Sequence, residues 1–436
     1  MACPLISSEP AGLNTAKEVV DEVTRPDISW IPSFKVFKNR VERLQALYPN
    51  RRTTLPAGWP AQVNAARAWA DLDFKSENEY ILALSAEDVI EIEAGLAHFK
   101  ALSNSLGPDD VSPSTFPLPN LSSRLVDVAK EIHDGRGFVV LRGLQPGKYS
   151  NFDNILIYLG VTSYIAEKRG MQDFDGRMIR ELPDPRSPEQ TPDTNPVHIQ
   201  AVVEDVKKHG SMPNSPYVNR AQPFHTDICD VLSLYALNVA AYGGESFLAS
   251  SAKIYNELAR TRPDIIEVLA KDNWIFDEFI LARPIPHPPL LFNFPSHGPA
   301  FQFSRRPLTG AHFSPHHPSV PAMSELQAEA LDAVYFLAKE HAVEIRLQKG
   351  DMLVFNNFAM LHARSGFADD EARGLKRHML RLWLRNEERM WKTPRELERI
   401  SWECYGDHEW RRELSVWDVE RSPPELRVKH RRASCA

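Results

Sequence analysis

An imidazole and a carboxylate stand two residues apart in the run PFHTDICD, as His225 and Asp227 around Thr226. Side chains two apart on a strand leave it on the same face, so both could reach one metal ion. Alone the pattern says little. The chain holds 15 histidines, and about one His-x-Asp pair arises by chance in such a chain. A polar strand end explains it equally well.

A second run, GDMLVFNNFAMLHARSGF, shifts the balance. A Gly-Asp turn leads into an apolar strand, two asparagines and then His362. Two histidines and one carboxylate on neighbouring strands form the three-ligand face of non-haem iron(II) oxygenases, which leaves coordination positions open for oxygen and a chelating cosubstrate. The same donor set also suits zinc with a bound water, the arrangement of a hydrolase. A third run, KRHMLRLWLR, puts Arg377, Met379, Arg381 and Trp383 on one face and His378, Leu380, Leu382 and Leu384 on the other. The leucine face is core. Two arginines among bulky apolar neighbours are costly to bury unpaired, and a planar guanidinium grips a carboxylate through two hydrogen bonds.

Elements that would position these residues follow from local signals. Ser85 and Asp88 form a capping box ahead of a helix running through about residue 102, and Ser324 and Gln327 form another. GFVVLRGL (137–144) is a short β-branched run between glycines, hence a strand. FDNILIYLGV reads as a helix. The run 229–251 reads as two strands joined by a turn at Gly243-Gly244. Pro263 opens a new helix after SAKIYNELART. AVEIRLQ alternates as a strand, and Lys349-Gly350-Asp351 turns the chain into MLVFNNF. Residues 1–75 show no strong pattern. Short strands with helices in front indicate an α+β or mainly β core, closed as a jelly roll or barrel.

Composition sets the outer bounds. The chain has 436 residues, 43% hydrophobic and 25% charged, with a net charge of −7, a balance that argues against a nucleic-acid partner. No stretch reaches the ~20 apolar residues of a membrane helix, and the start lacks the features of a secretory signal. The expectation is a cytoplasmic protein. Four separated cysteines, Cys3, Cys229, Cys404 and Cys435, suggest neither a zinc knot nor a disulfide framework. Cys229, so close to Asp227, reads as a small buried hydrophobe. The 34 prolines concentrate at 181–223 and 283–321, expected as long loops beside the site. The second loop offers Arg305, Arg306, His312, His316 and His317 as substrate readers or as ordinary solvated charges. The tryptophan-rich C-terminal stretch suits packing on the core, or a subunit contact in a homo-oligomer; packing is the expectation.

The runs FHTD, GGES, KGDMLVFNN…LHAR and RHMLRLWLR, in that order, resemble the taurine dioxygenase (TauD/TfdA-like) family of iron(II)/2-oxoglutarate oxygenases, in its long fungal-type branch. The resemblance covers roughly residues 136–391. It implies a double-stranded β-helix, a jelly-roll variant with flanking helices. It implies an oxygenase domain over 131–391, an N-terminal extension over 1–130, partly helical and packed on the core, and a C-terminal extension over 392–436. By similarity His225, Asp227 and His362 would bind Fe(II). Arg377 and Ser246 would hold the far carboxylate of 2-oxoglutarate, Arg381 would lie near the cosubstrate's other end or the substrate, and Asn357 matches an asparagine of the site. The implied reaction consumes 2-oxoglutarate and O2, releases succinate and CO2, and hydroxylates an unactivated C–H bond of a small molecule. Desaturation, cyclisation or epoxidation by the same chemistry, and a non-catalytic metal-binding module, are alternatives. Ala221 stands where taurine dioxygenase has a substrate-contacting asparagine, which puts a sulfonate substrate in doubt.

Overall fold

The computed structural model describes residues 25–103, 106–172, 179–182, 219–278, 283–310 and 319–406. In chain order the strands are β1 (Ile81–Ala83), β2 (Phe138–Arg142), β3 (Lys168–Gly170), β4 (Ile179–Leu182), β5 (Gln222–His225) and β6 (Val231–Asn238). There follow β7 (Tyr242–Gly243), β8 (Ser246–Ser250), β9 (Trp274–Glu278), β10 (Arg283–His287), β11 (Leu291–Phe294) and β12 (Gly298–Phe301). The last are β13 (Val343–Ile345), β14 (Met352–Asn356), β15 (Met360–Arg364), β16 (Phe367–Ala368) and β17 (His378–Arg385).

Two sheets carry the architecture. The larger runs β1-β2-β14-β6-β17-β3, with β4 also paired to β17; the smaller runs β13-β8-β15-β5. Alternation along each strand divides the side chains between two layers. On the outer face of the large sheet, Leu380, Leu382, Leu384, Val139 and Val354 pack against the helices Ala86–Leu102, Ser122–His133 and Asn151–Thr162. On its inner face, Phe138, Leu232, Leu353, Phe355 and Trp383 meet Leu248, Val343 and Ile345 of the small sheet. The far side of the small sheet is covered by the helices Ser251–Thr261 and Glu325–His341 through Ala249, Leu361, Leu258, Leu331 and Val334. The result is helix, sheet, sheet, helix: a jelly roll with flanking helices. Both capping boxes form, Ser85 with Asp88 and Ser324 with Gln327. Among the described residues, no helix is long and apolar enough to cross a membrane.

The structure refines two of these readings. β6 and β8 do not pair with each other: β6 lies between β14 and β17, β8 between β13 and β15. The glycine turn therefore carries the chain from one sheet to the other instead of closing a hairpin. Gly243 has φ +69°, and a Cβ there would lie 2.1 Å from the Gly366 carbonyl oxygen, so the crossing demands glycine. Residues 1–75 do contain a helix, Phe34–Leu47. Much of what fixes it is tertiary. Arg40 is buried and ion-paired to Glu325 and Asp332 at 2.9 and 2.5 Å, partners nearly 300 positions away that no local pattern reveals.

The chain before residue 131 supplies β1, whose parallel pairing with β2 extends the large sheet. The helix Glu398–Tyr405 packs its Cys404 and Tyr405 into the interior while Trp402 stays exposed. The remaining C-terminal tryptophans lie outside the described residues.

Candidate active site

His225 ends β5, an edge strand, where Pro223 can sit without costing a ladder hydrogen bond. β15 pairs His362 with His225 and Arg364 with Gln222. β5 thus has one more residue than β15 between these pairs, a bulge of the kind that re-aims side chains beside active sites. Asp227 lies past the strand end, in a turn pinned on both sides. Thr226 exchanges two hydrogen bonds with Phe303, through its amide at 2.7 Å and its hydroxyl at 2.8 Å. The Asp227 amide donates to Asn357 Oδ1 at 2.8 Å, and Asn357 Nδ2 donates to the carbonyls of Asp227 and Cys229, both at 2.7 Å. The two-residue strand spacing expected for His225 and Asp227 is therefore replaced by a strand end and an anchored turn.

The ligand atoms of His225, Asp227 and His362 all lie within 4.8 Å of one another. The two imidazole rings are 4.0 Å apart, and His225 Nε2 is 3.7 Å from Asp227 Oδ1. The Nδ1–H of His225 faces the Pro223 carbonyl at 2.9 Å, which fixes the tautomer and leaves the lone pair on Nε2, as in a metal-binding imidazole. Asp227 is fully buried. Its Oδ2 accepts from Arg381 at 2.9 Å and from the Trp383 indole at 2.8 Å. Its Oδ1 and His362 Nδ1 are buried polar atoms with no hydrogen-bond partner. Unsatisfied buried groups of this kind are expensive, and a divalent cation held by two neutral imidazoles and a carboxylate would relieve the carboxylate's deficit.

Protonation follows the same logic. Burial lowers the pKa of His225, and burial together with His225 pushes His362 well below the usual histidine range, so both imidazoles are neutral. Burial raises the Asp227 carboxyl, but Arg381, the histidines and Trp383 outweigh it and the net direction is down. The donor set is one carboxylate and two neutral imidazoles, with the Gln222 amide nitrogen 3.2 Å from His225 Nε2.

A cavity opens between the two sheets. One end holds His225 and His362; Leu232, Leu234, Leu248, Leu353 and Phe355 form apolar walls; Gln222, Ser246, Arg364, Arg377 and Arg381 supply the polar groups. The structure thus brings six of the seven residues singled out from sequence to one place: the triad, Ser246, Arg377 and Arg381. Arg381 does not face the cavity freely, since it holds Asp227 Oδ2 and, through Nε, Gln172 Oε1 at 2.9 Å. Asn357 is fully buried behind His225, Asp227 and His362, its amide committed to the 227–230 backbone. It acts through Asp227, not on a bound molecule.

Four polar residues of the site, Trp383, Gln172, Gln222 and Arg364, were not singled out. Trp383 was placed on the correct face, but its bond to Asp227 was not foreseen. Gln172 has no local signal. Arg364 had one, because it lies two residues after His362 on the same strand face. Of the loop residues expected to read substrate, Arg305 is buried against Asp332 at 2.8 Å and against the carbonyls of Ser29 and Trp30, so it braces the N-terminal segment. Arg306 is also buried; His312, His316 and His317 lie outside the described residues. Cys229 is a fully buried free thiol in the inter-sheet core.

Residues 98–383 match the family described as taurine catabolism dioxygenase TauD, TfdA family. A taurine hydroxylase-like protein of Stachybotrys chartarum is 33% identical over 368 residues, which span 83% of this chain and 89% of that protein. FR-33289 synthase of Streptomyces rubellomurinus is 25% identical over 190 residues, 42% of this chain and 55% of the synthase. Among solved structures, an asparagine oxygenase in complex with Fe(II), 2S,3S-3-hydroxyasparagine and succinate aligns at 15% identity and a TM-score of 0.49, over 70% of this chain and 93% of the other. The non-heme iron oxygenase OrfP with Fe and alpha-ketoglutaric acid aligns at 17% identity and a TM-score of 0.48, over 70% and 94%. With its jelly roll, its His-Asp-His cluster and this similarity over most of its length, the chain belongs to the TauD/TfdA family of iron(II)/2-oxoglutarate-dependent oxygenases.

Proposed function

We propose that His225, Asp227 and His362 hold iron(II), that Arg377 and Ser246 receive the far carboxylate of 2-oxoglutarate, and that the apolar walls present an aliphatic carbon of a small molecule to the open side of the metal. The observation that carries this reading is the pair of buried orphan atoms, Asp227 Oδ1 and His362 Nδ1, in a cluster whose ligand atoms lie within 4.8 Å. Bound there, iron(II) with 2-oxoglutarate and O2 supplies oxidation of an unactivated C–H bond, most simply hydroxylation, with succinate and CO2 as coproducts. The chain's own part is positional. Arg381 and Trp383 fix one oxygen of Asp227 and turn the other toward the histidines. Asn357 holds the turn that carries Asp227. Leu232, Leu234, Leu248, Leu353 and Phe355 exclude water from the reacting carbon.

In this reading residues 131–391 carry the chemistry, while 1–130 and 392–436 brace it. The protein works in the cytoplasm, where a thiol such as Cys229 stays reduced. The test is addition of 2-oxoglutarate to the iron(II)-loaded protein without oxygen. A visible charge-transfer absorption, absent in Asp227→Ala and His225→Ala, supports the ligand set. Its persistence in either variant removes that residue from the set. Metal analysis of protein purified anaerobically separates iron from zinc.

A further inference from the structure

The turn that carries Asp227 is held from two sides. Asn357 grips its start, and residues beyond the jelly roll grip its end. Asp230 closes the turn just before β6. Its amide donates to the Tyr405 hydroxyl at 3.0 Å, and that hydroxyl donates to the Leu384 carbonyl at 2.7 Å. Its carbonyl accepts from the Asn357 amide at 2.9 Å. Its carboxylate takes two bonds from Arg385, Nε to Oδ2 at 2.6 Å and Nη2 to Oδ1 at 2.9 Å. A phenol both donates and accepts, so one side chain joins β17 to the turn.

Tyr405 reaches this place from the helix Glu398–Tyr405, which follows residue 391 and lines no part of the cavity described above. Ser401, Cys404 and Tyr405 fall at i, i+3 and i+4, one face of a helix. Ser401 Oγ accepts from Arg385 Nη2 at 2.7 Å, and Arg385 lies over the Tyr405 ring at 4.0 Å. The Cys404 carbonyl, one of those a helix end leaves without an internal partner, accepts from the Met171 amide at 2.9 Å. Gln172, next in the chain, bridges Arg381: its Nε2 donates to the Arg381 carbonyl at 2.7 Å, and its Oε1 accepts from Arg381 Nε at 2.9 Å. Arg381 holds Asp227 Oδ2. Two routes thus run from this helix to Asp227, one to the backbone of its turn and one to its carboxylate. Asp230, Arg385, Tyr405, Gln172 and Arg381 are all buried, where a missing partner is costly.

We propose that Tyr405 is a positioning residue for Asp227, and that the helix Glu398–Tyr405 is the part of the C-terminal extension that completes the metal pocket. The inference rests on the reading of the triad as the metal site. Tyr405 acts through the turn, not on a bound molecule. It fixes where the turn enters β6, and so the position from which Asp227 presents Oδ1 to the histidines.

The test is iron(II) titration of the full chain under nitrogen against a chromophoric chelator, beside thermal scans of the same proteins. Tyr405→Phe removes the hydroxyl and keeps the ring beneath Arg385. It should weaken iron(II) about 10-fold, the lower end of the cost of a lost partner behind a metal ligand. Tyr235→Phe is the control. Its buried hydroxyl donates to Asn154 Oδ1 at 2.9 Å in the outer core, on neither route to Asp227. It should lower the melting temperature by a similar amount and leave iron(II) affinity within about twofold. If Tyr405→Phe does not fold, Ser401→Ala reads the same helix through Arg385, with a loss of about fivefold expected. Affinity within about twofold of the unaltered protein in Tyr405→Phe, or in Ser401→Ala where it stands in, overturns the positioning role and leaves the metal-site reading intact. Equal losses in Tyr405→Phe and Tyr235→Phe also overturn it, since general destabilisation would then account for both. Iron(II) binding that Asp227→Ala leaves undiminished overturns the metal-site reading itself.

Discussion

The indole of Trp383 donates to Oδ2 of Asp227 at 2.8 Å, from the strand face opposite the leucines that build the outer core. The bond decides which carboxylate oxygen is left for a metal. Phenylalanine at 383 keeps the ring and removes the donor. Trp383→Phe should weaken iron(II) binding by about 10–100-fold, the usual cost of losing a second-shell partner, with a smaller change in melting temperature. Competition with a chromophoric chelator measures the first and calorimetric scanning the second.

Asn357 makes three side-chain hydrogen bonds to the 227–230 turn. Alanine there strands one buried N–H and two carbonyls. Asn357→Ala should cost about 3 kcal/mol in denaturant unfolding and also weaken metal binding, because the turn that aims Asp227 is released.

Gly244 has φ +82°, and an added Cβ would meet Arg377 Cδ and Nε at 3.4 Å. Gly244→Ala combines left-handed backbone strain of about 1 kcal/mol with a small push on the arginine proposed to hold the cosubstrate. The expected result is a several-fold loss of 2-oxoglutarate affinity in titration, with little change for oxalate.

His133 is buried, its Nδ1 against the Ala129 carbonyl at 2.8 Å, and burial lowers its pKa. The folded state therefore binds fewer protons than the unfolded chain below the ordinary histidine value of about 6.5. Stability is full above that pH and is lost as pH falls from there through the depressed folded value. His225 and His362 act in the same sense in metal-free protein. The melting temperature of apoprotein should drop between pH 7.5 and 5.5, as about one pH unit either side of 6.5, and His133→Gln should flatten part of that slope in parallel scans.

Much of the site could be read from sequence because its pieces are local runs. The Gly-Asp turn, the alternation of residues 376–385 and the capping boxes are short-range patterns, and they form as read. The face assignment of Arg377, Arg381 and Trp383 came from period two alone. What sequence did not reveal depends on distance. Whether Arg381 meets a cosubstrate or Asp227 is decided by a residue 154 positions away, and Arg305 lost its candidacy to Asp332 on a helix packed beside it. The 229–251 run reads as two strands joined by a turn, but a double-glycine turn looks the same whether the chain returns to its own sheet or crosses to the facing one. Arg364 was legible in principle, since it follows His362 by two on one strand and so shares its face.

The pairing of β5 with β15 joins segments separated by well over 100 residues. Under the proposed ligand set, no early fragment of the chain owns a complete iron pocket. A nascent polypeptide that has not yet emitted β15 offers only His225 and Asp227, and such far-apart pairings form slowly. Metal acquisition is then a finishing step, reserved for polypeptides that have already closed the roll.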